Sequence, residues 1–141
     1  MQGYAATIND RQDRIVQELN SRADWFEKYE YLIGLGKSLP IWPDESKTDR
    51  HAMKGCQSRV WIRAEMSDGV LHFSADSDSQ ITRGMIALLV SVLDGTSPSE
   101  AAGADLYFVE KTGLGRNLSP ARANGLKTII NHMQGLAREH I

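Results

Sequence analysis

The hydrophobic period of this chain switches twice, and that switch limits the folds open to it. Between residues 59 and 66, Val60, Ile62, Ala64 and Met66 alternate with Arg59, Trp61, Arg63 and Glu65. A period of two predicts a half-buried strand. Ser67-Asp68-Gly69 is a hairpin turn signal, and Val70 to Ala75 returns with Leu71, Phe73 and Ala75 on one face. Ala52-Met53-Lys54 is a candidate for a further short strand that periodicity alone does not settle.

On both sides the spacing is helical. Ile8, Ile15, Val16 and Leu19 share a face over residues 7–20, with Thr7 as N-cap and Asp10 three residues on. A second helix is expected over residues 22–35, started by Ser21 and Asp24, with Trp25, Phe26, Tyr29, Leu32 and Ile33 as its apolar face and Gly34 and Gly36 weakening its end. Residues 37–51 are polar, carry Pro40 and Pro43, and predict a long loop with a turn of helix after Pro43. After the hairpin, Asp76-Ser77-Asp78-Ser79 ends the sheet and can cap a helix whose stripe is Ile81, Met85, Leu88, Leu89, Val92 and Leu93, stopped at Gly95. Ser97-Pro98-Ser99-Glu100 opens a short helix, residues 105–112 another, and Ser119-Pro120 the last, which carries Leu126, Ile129, Ile130, Met133, Leu136 and Ala137. The order is helix, helix, two or three strands, then four helices. Strands grouped between helices predict an α+β fold with a small antiparallel sheet.

The 141 residues fit one domain over 1–141, with no linker or repeat. A chain of this size buries roughly 68–70% of its unfolded surface, so it needs neither disulfide nor metal to fold. Formal charge is −2, without a dense Lys/Arg run, which argues against nucleic acid. The apolar stretch at residues 85–93 is far short of the roughly 20 residues of a membrane span, and no signal peptide is visible at the start. A cytoplasmic protein is expected, since one cysteine suits a reducing compartment.

That cysteine, Cys56, lies in Lys54-Gly55-Cys56-Gln57-Ser58-Arg59, at a loop tip before the first alternating strand. A lone cysteine is most often a small buried hydrophobe. Here Gly55 permits tight backbone beside the sulfur, and Lys54 and Arg59, with Arg50 and His51 upstream, favour a thiolate. No histidine and acid stand at cysteine-protease spacing, and no second thiol is present to resolve a disulfide. His51, His72, His132 and His140 are scattered without zinc-ligand spacing, and one thiol cannot hold an iron–sulfur cluster. Gly113-Leu114-Gly115-Arg116 lacks a Walker lysine and predicts a helix stop and turn. Helix capping explains Asp76 and Asp78 more simply than an acid–base pair, with partner contact as the other reading. Trp42, between prolines, either packs over the core or is an exposed docking residue.

Gly55-Cys56-Gln57-Ser58-Arg59-Val60-Trp61 resembles the SufE family, sulfur acceptors of a pyridoxal-phosphate cysteine desulfurase in iron–sulfur cluster assembly. Trp25-Phe26-Glu27-Lys28-Tyr29 with Leu35-Gly36-Lys37-Ser38-Leu39-Pro40 resembles its N-terminal helix and exit. Asp76-Ser77-Asp78 with Arg83-Gly84, and Leu118-Ser119-Pro120-Ala121-Arg122-Ala123-Asn124-Gly125-Leu126, resemble two later segments. The likeness covers about residues 20–140. Ala75 and Ala121 depart from the family's usual glycine and serine, away from the thiol. Residues 1–8 are expected as a poorly ordered extension.

The resemblance implies a SufE/NifU-like fold with a three-stranded antiparallel sheet. It implies a persulfide on Cys56, with Lys54, Gly55, Gln57, Ser58, Arg59, Asp78 and Arg122 as cysteine-loop and partner-contact residues. Implied partners are a cysteine desulfurase of the SufS or CsdA kind, which the chain stimulates, and a downstream iron–sulfur scaffold. The resemblance further implies that the chain needs no cofactor, because pyridoxal phosphate belongs to the partner, and no stand-alone turnover is expected. A monomer or weak homodimer is expected, without the sequence fixing which. A redox-sensing thiol protein, or a docking module that activates the desulfurase allosterically, are the alternatives.

Overall fold

A computed structural model of the chain describes residues 7–53 and 59–141. Two helices, a three-stranded sheet and five further helices follow one another among them. Helix α1 (Ile8–Asn20) opens with a reciprocal cap: the Thr7 side chain accepts from the Asp10 amide, and the Asp10 carboxylate accepts from Thr7. Thr7 is the N-cap and Ile8 the first helical residue, as the helical spacing predicts, although both fall inside the 1–8 stretch also expected as an extension; Ile8 is buried. Gln12 also lies on the inner stripe. Its Nε2 donates to the Asp105 carbonyl (3.0 Å), and its Oε1 accepts from the Phe108 amide (3.1 Å). A fully buried amide is tolerable when so paired.

Helix α2 (Trp25–Lys37) starts later than expected. Ser21 closes α1 in a helical conformation, and extended Asp24 is the cap, accepting from the Glu27 amide at 3.0 Å. The glycines near its end do not fray it. Gly36 faces Gly84 of helix α3 (Gln80–Leu93), and a Cβ on Gly84 would stand 2.2 Å from the Leu32 carbonyl oxygen. The two helices thus pack backbone against backbone. Leu32 is fully buried, but Phe26 is 71% exposed and does not join the apolar face assigned to it.

Strand β1 (Ala52–Met53) pairs antiparallel with β2 (Val60–Ser67), and β2 with β3 (Val70–Ser77), in the order β1-β2-β3. The hairpin turn is Asp68 and Gly69, both at positive φ, between the paired Ser67 and Val70. That is the backbone a two-residue turn requires. Strand β3 runs on through Asp76 and Ser77, two residues that the sequence had placed after the sheet.

Alternation fails at both ends of β2. Val60 and Ile62 enter the main core, yet Trp61 between them is buried too, because residues 37–51 cover the other face. Near the turn Met66 is exposed. Residues 37–51 form the expected loop, with a 3-10 turn at Asp44–Ser46 after Pro43.

Helix α3 is the central core element, touching α2, β3, α1 and helix α7 (Pro120–Arg138). Its cap is Ser79, which accepts from the Thr82 amide; neither Asp76 nor Asp78 serves. Helix α4 (Pro98–Gly103) has the Ser97 cap read from sequence. Helix α5 (Phe108–Thr112) stops at Gly113, as expected. The next residues are not a plain turn, however: Leu114–Asn117 make one further helical turn, α6.

Candidate functional site

Cys56 sits between β1 and β2. Lys54, Gly55, Cys56, Gln57 and Ser58 lie outside the described residues, but both strand ends that carry them are described. Met53 pairs with Val60, and Val60 pairs with Ser77. The thiol-bearing connection therefore leaves and rejoins the sheet at one corner, where β3 also ends.

Arg59 is the first described residue after the connection, and its backbone is clasped. Its amide donates to Asp78 Oδ1 (3.0 Å), while its carbonyl accepts from Ser77 Oγ (2.7 Å) and the Asp78 amide (3.3 Å). Asp78 is thus a clasp on the cysteine connection, where the sequence suggested a helix cap. The Arg59 guanidinium lies 5.1 Å from the Trp61 ring centre, a cation–π distance. Arg122 reaches the same corner from α7: its Nη1 donates to Ser79 Oγ at 3.0 Å. Arg59, Asp78 and Arg122, far apart in sequence, so converge where the connection begins and ends. Arg122 also borders a cavity of about 300 Å³ shared with Tyr29, Ile81, Leu118 and Ser119.

A second cluster behind this corner was not read from sequence. Asp76 is 1% exposed. Its carboxylate accepts from the amides of Trp42 (3.0 Å) and Ser77 (2.8 Å) and pairs with the Arg83 guanidinium. Arg83 donates further to the carbonyls of Gly36 (2.9 Å) and Leu39 (2.8 Å). Lys47 Nζ is 3.9 Å from Asp76 and lies over the Trp61 ring. A desolvated carboxylate survives when such donors surround it. This cluster ties the 37–51 segment across the outer face of the sheet. The signal available in sequence was an acid on an otherwise closed strand with an arginine seven residues on.

Trp42 packs: it is 6% exposed, edge-on to His51 at 5.8 Å, with the Arg63 guanidinium 5.3 Å from its ring centre. Its neighbour Ile41 is 78% exposed. The shifted titrations among the described residues include Tyr107, held by its hydrogen bond to Asp13 and pushed up to about 12, and Tyr31, raised by burial. Tyr107 donates to Asp13 on α1, a structural tie between helices.

The SufE description, an Fe-S metabolism associated domain, matches residues 13–137. The chain belongs to the SufE family. An uncharacterized SufE-like protein of Synechocystis is 36% identical over 129 residues, 92% of this chain and 81% of that one. Uncharacterized SufE-like proteins of Rhizobium etli and Rhizobium meliloti are 34% and 35% identical over 89% of this chain, and the matches span 88% and 93% of their lengths. A solved structure, a hypothetical protein from Thermus thermophilus, superposes with a TM-score of 0.76 at 17% identity, covering 92% of this chain and 95% of that one. That likeness bears on the fold, and it agrees with the α+β architecture and three-stranded antiparallel sheet. Family membership places the chain in iron–sulfur metabolism.

Proposed function

We propose that this SufE-family chain accepts sulfane sulfur on Cys56 from a pyridoxal-phosphate cysteine desulfurase, stimulates that enzyme, and passes the sulfur to an iron–sulfur scaffold. The observation that carries this reading is the corner itself. The one thiol of the chain sits on a short connection whose ends are fixed by the Met53–Val60 pairing and the Asp78 clasp on Arg59. A connection anchored at both ends can offer its tip to a partner while the sheet stays intact.

In the transfer, the Cys56 thiolate attacks the terminal sulfur of a persulfide on the desulfurase. A bond forms between Cys56 Sγ and that sulfur, the donor's S–S bond breaks, and the donor cysteine leaves as thiolate. The proton on the terminal sulfur travels with it, so no oxidant or reductant enters. The rate follows thiolate fraction and access. Arg59 and Arg122 put positive charge at the corner and favour the thiolate, with Lys54 beside Cys56 in sequence adding to it. Gly55, next to Cys56 in sequence, is the hinge candidate, because a glycine tolerates backbone conformations that other residues do not. Residues Gln57 and Ser58 complete the contact with the partner.

No helix among the described residues is long and apolar enough to cross a membrane. A cytoplasmic site of action, where thiols stay reduced, goes with the sulfur-acceptor reading.

Desulfurase turnover with and without the chain tests this. Wild type is expected to raise the rate, and Cys56→Ser is expected to fold normally and give no stimulation. Full stimulation by Cys56→Ser would replace the carrier with an allosteric docking module. A thiol that gains oxygen under peroxide but never sulfur would make it a redox sensor.

A further inference from the structure

Single exposed apolar side chains are ordinary on protein surfaces. Ile41 is set apart by the backbone that holds it. On its C-terminal side the Trp42 amide is bound to buried Asp76 and the Trp42 ring is packed. On its N-terminal side the Leu39 carbonyl accepts from Arg83. Pro40 and Pro43 stiffen the segment further. A buried ion pair thus immobilises a segment whose apolar tip is 78% exposed and lies outside the packed core. Retaining a buried ionic pair for conformational specificity, more than for stability, fits that arrangement.

The position matters as much as the rigidity. Asp76 pairs with Trp61, and Trp61 with Ala52. The next row, Met53–Val60–Ser77, is where the Cys56 connection departs. Asp76, the anchor of Ile41, therefore lies on the neighbouring strand β3, one row, about 3.4 Å along the strands, from the row at which that connection departs. A protein that brings a sulfur to Cys56 approaches the end of the sheet at which Met53 and Val60 carry that connection.

We propose that Ile41 is an apolar docking residue for the sulfur donor, seated in a hydrophobic recess beside the donor's own sulfur site. This rests on the sulfur-acceptor reading. A pre-fixed aliphatic side chain loses little conformational freedom on binding, which is how a single residue becomes an anchor. It acts by positioning Cys56 against the donor and takes no part in the chemistry.

The test titrates wild type and variants against a desulfurase that the wild type stimulates. Ile41→Ala is expected to raise the half-maximal concentration at least about tenfold, the effect of losing most of one buried aliphatic side chain. The rate at saturation and the melting temperature should be unchanged, and Ile41→Leu should restore affinity. Phe26→Ala, equally exposed but at the far end of α2, should behave as wild type. The inference is overturned if Ile41→Ala stays within about twofold of wild type, the range of a neutral surface change. It is overturned equally if Phe26→Ala weakens stimulation as much, or if Ile41→Ala instead changes self-association, which would make a second copy the occupant. If wild type itself takes no sulfur, the acceptor reading fails and this inference falls with it. If wild type takes sulfur and Ile41→Ala is indistinguishable, the docking role alone falls.

Discussion

Arg83→Met is expected to loosen the segment that covers the outer face of the sheet. The substitution keeps an apolar stem and removes the guanidinium from Asp76, Gly36 and Leu39. Asp76 keeps the Trp42 and Ser77 amides but stays buried without its close cation. Removing one partner of a buried pair costs about 3–5 kcal/mol. Lys47, already 3.9 Å away, can move toward the carboxylate and hold the loss near the lower edge, about 3 kcal/mol. At roughly 3 °C per kcal/mol for a chain of this size, the melting temperature should fall by roughly 10 °C. Urea and thermal unfolding followed by circular dichroism measure this, and limited proteolysis should show residues 38–51 cut faster. Asp76→Asn in the same chain removes the stranded charge. The double variant should then cost at least about 1 kcal/mol less than the two single losses added together. A single-variant loss under about 1 kcal/mol, or strict additivity, would refute the assignment of Asp76 and Arg83 as one anchoring unit.

Two further outcomes follow from the packing. Gly84→Ala forces a methyl to within 2.2 Å of the Leu32 carbonyl oxygen, so α2 and α3 must separate; a loss of at least about 2 kcal/mol is expected, and an unchanged melting temperature would contradict the close crossing. Burial lowers the His132 pKa more than Glu139 raises it, so the unfolded chain takes up the proton first as pH falls through about 6.5. Folded stability should therefore decline below that pH, and His132→Gln should remove part of the decline in urea midpoints compared at neutral and mildly acidic pH; identical acid sensitivity in both proteins would count against it.

Local chemistry was legible in the sequence, and long-range pairing was not. Thr7, Ser97 and Ser119 announced helix starts because a cap acts within three residues. Asp68-Gly69 announced the hairpin because positive φ is a property of those two residues. Trp61 broke the expected alternation because its cover comes from residues 37–51, which no local period reports. For the same reason Asp76 read as a cap, although its partners Trp42 and Arg83 are brought to it only by the fold. The aromatic run of α2 suggested a buried face that included Phe26, yet the inner stripe runs through Trp25, Tyr29, Leu32 and Gly36, and Phe26 lies off it. At the candidate site the resemblance named Arg59, Asp78 and Arg122. Their convergence at the Cys56 connection, and the exposure of Ile41 where Trp42 had drawn the eye, required the structure.

The most direct measurement of the central claim is the intact mass of this chain after incubation with a cysteine desulfurase and cysteine, with no reductant added. The account predicts a gain of one sulfur atom that maps to Cys56, disappears on treatment with a thiol, and is absent from Cys56→Ser. An unmodified chain under conditions in which the desulfurase is loaded with sulfur, or sulfur attached to Cys56→Ser, would contradict it.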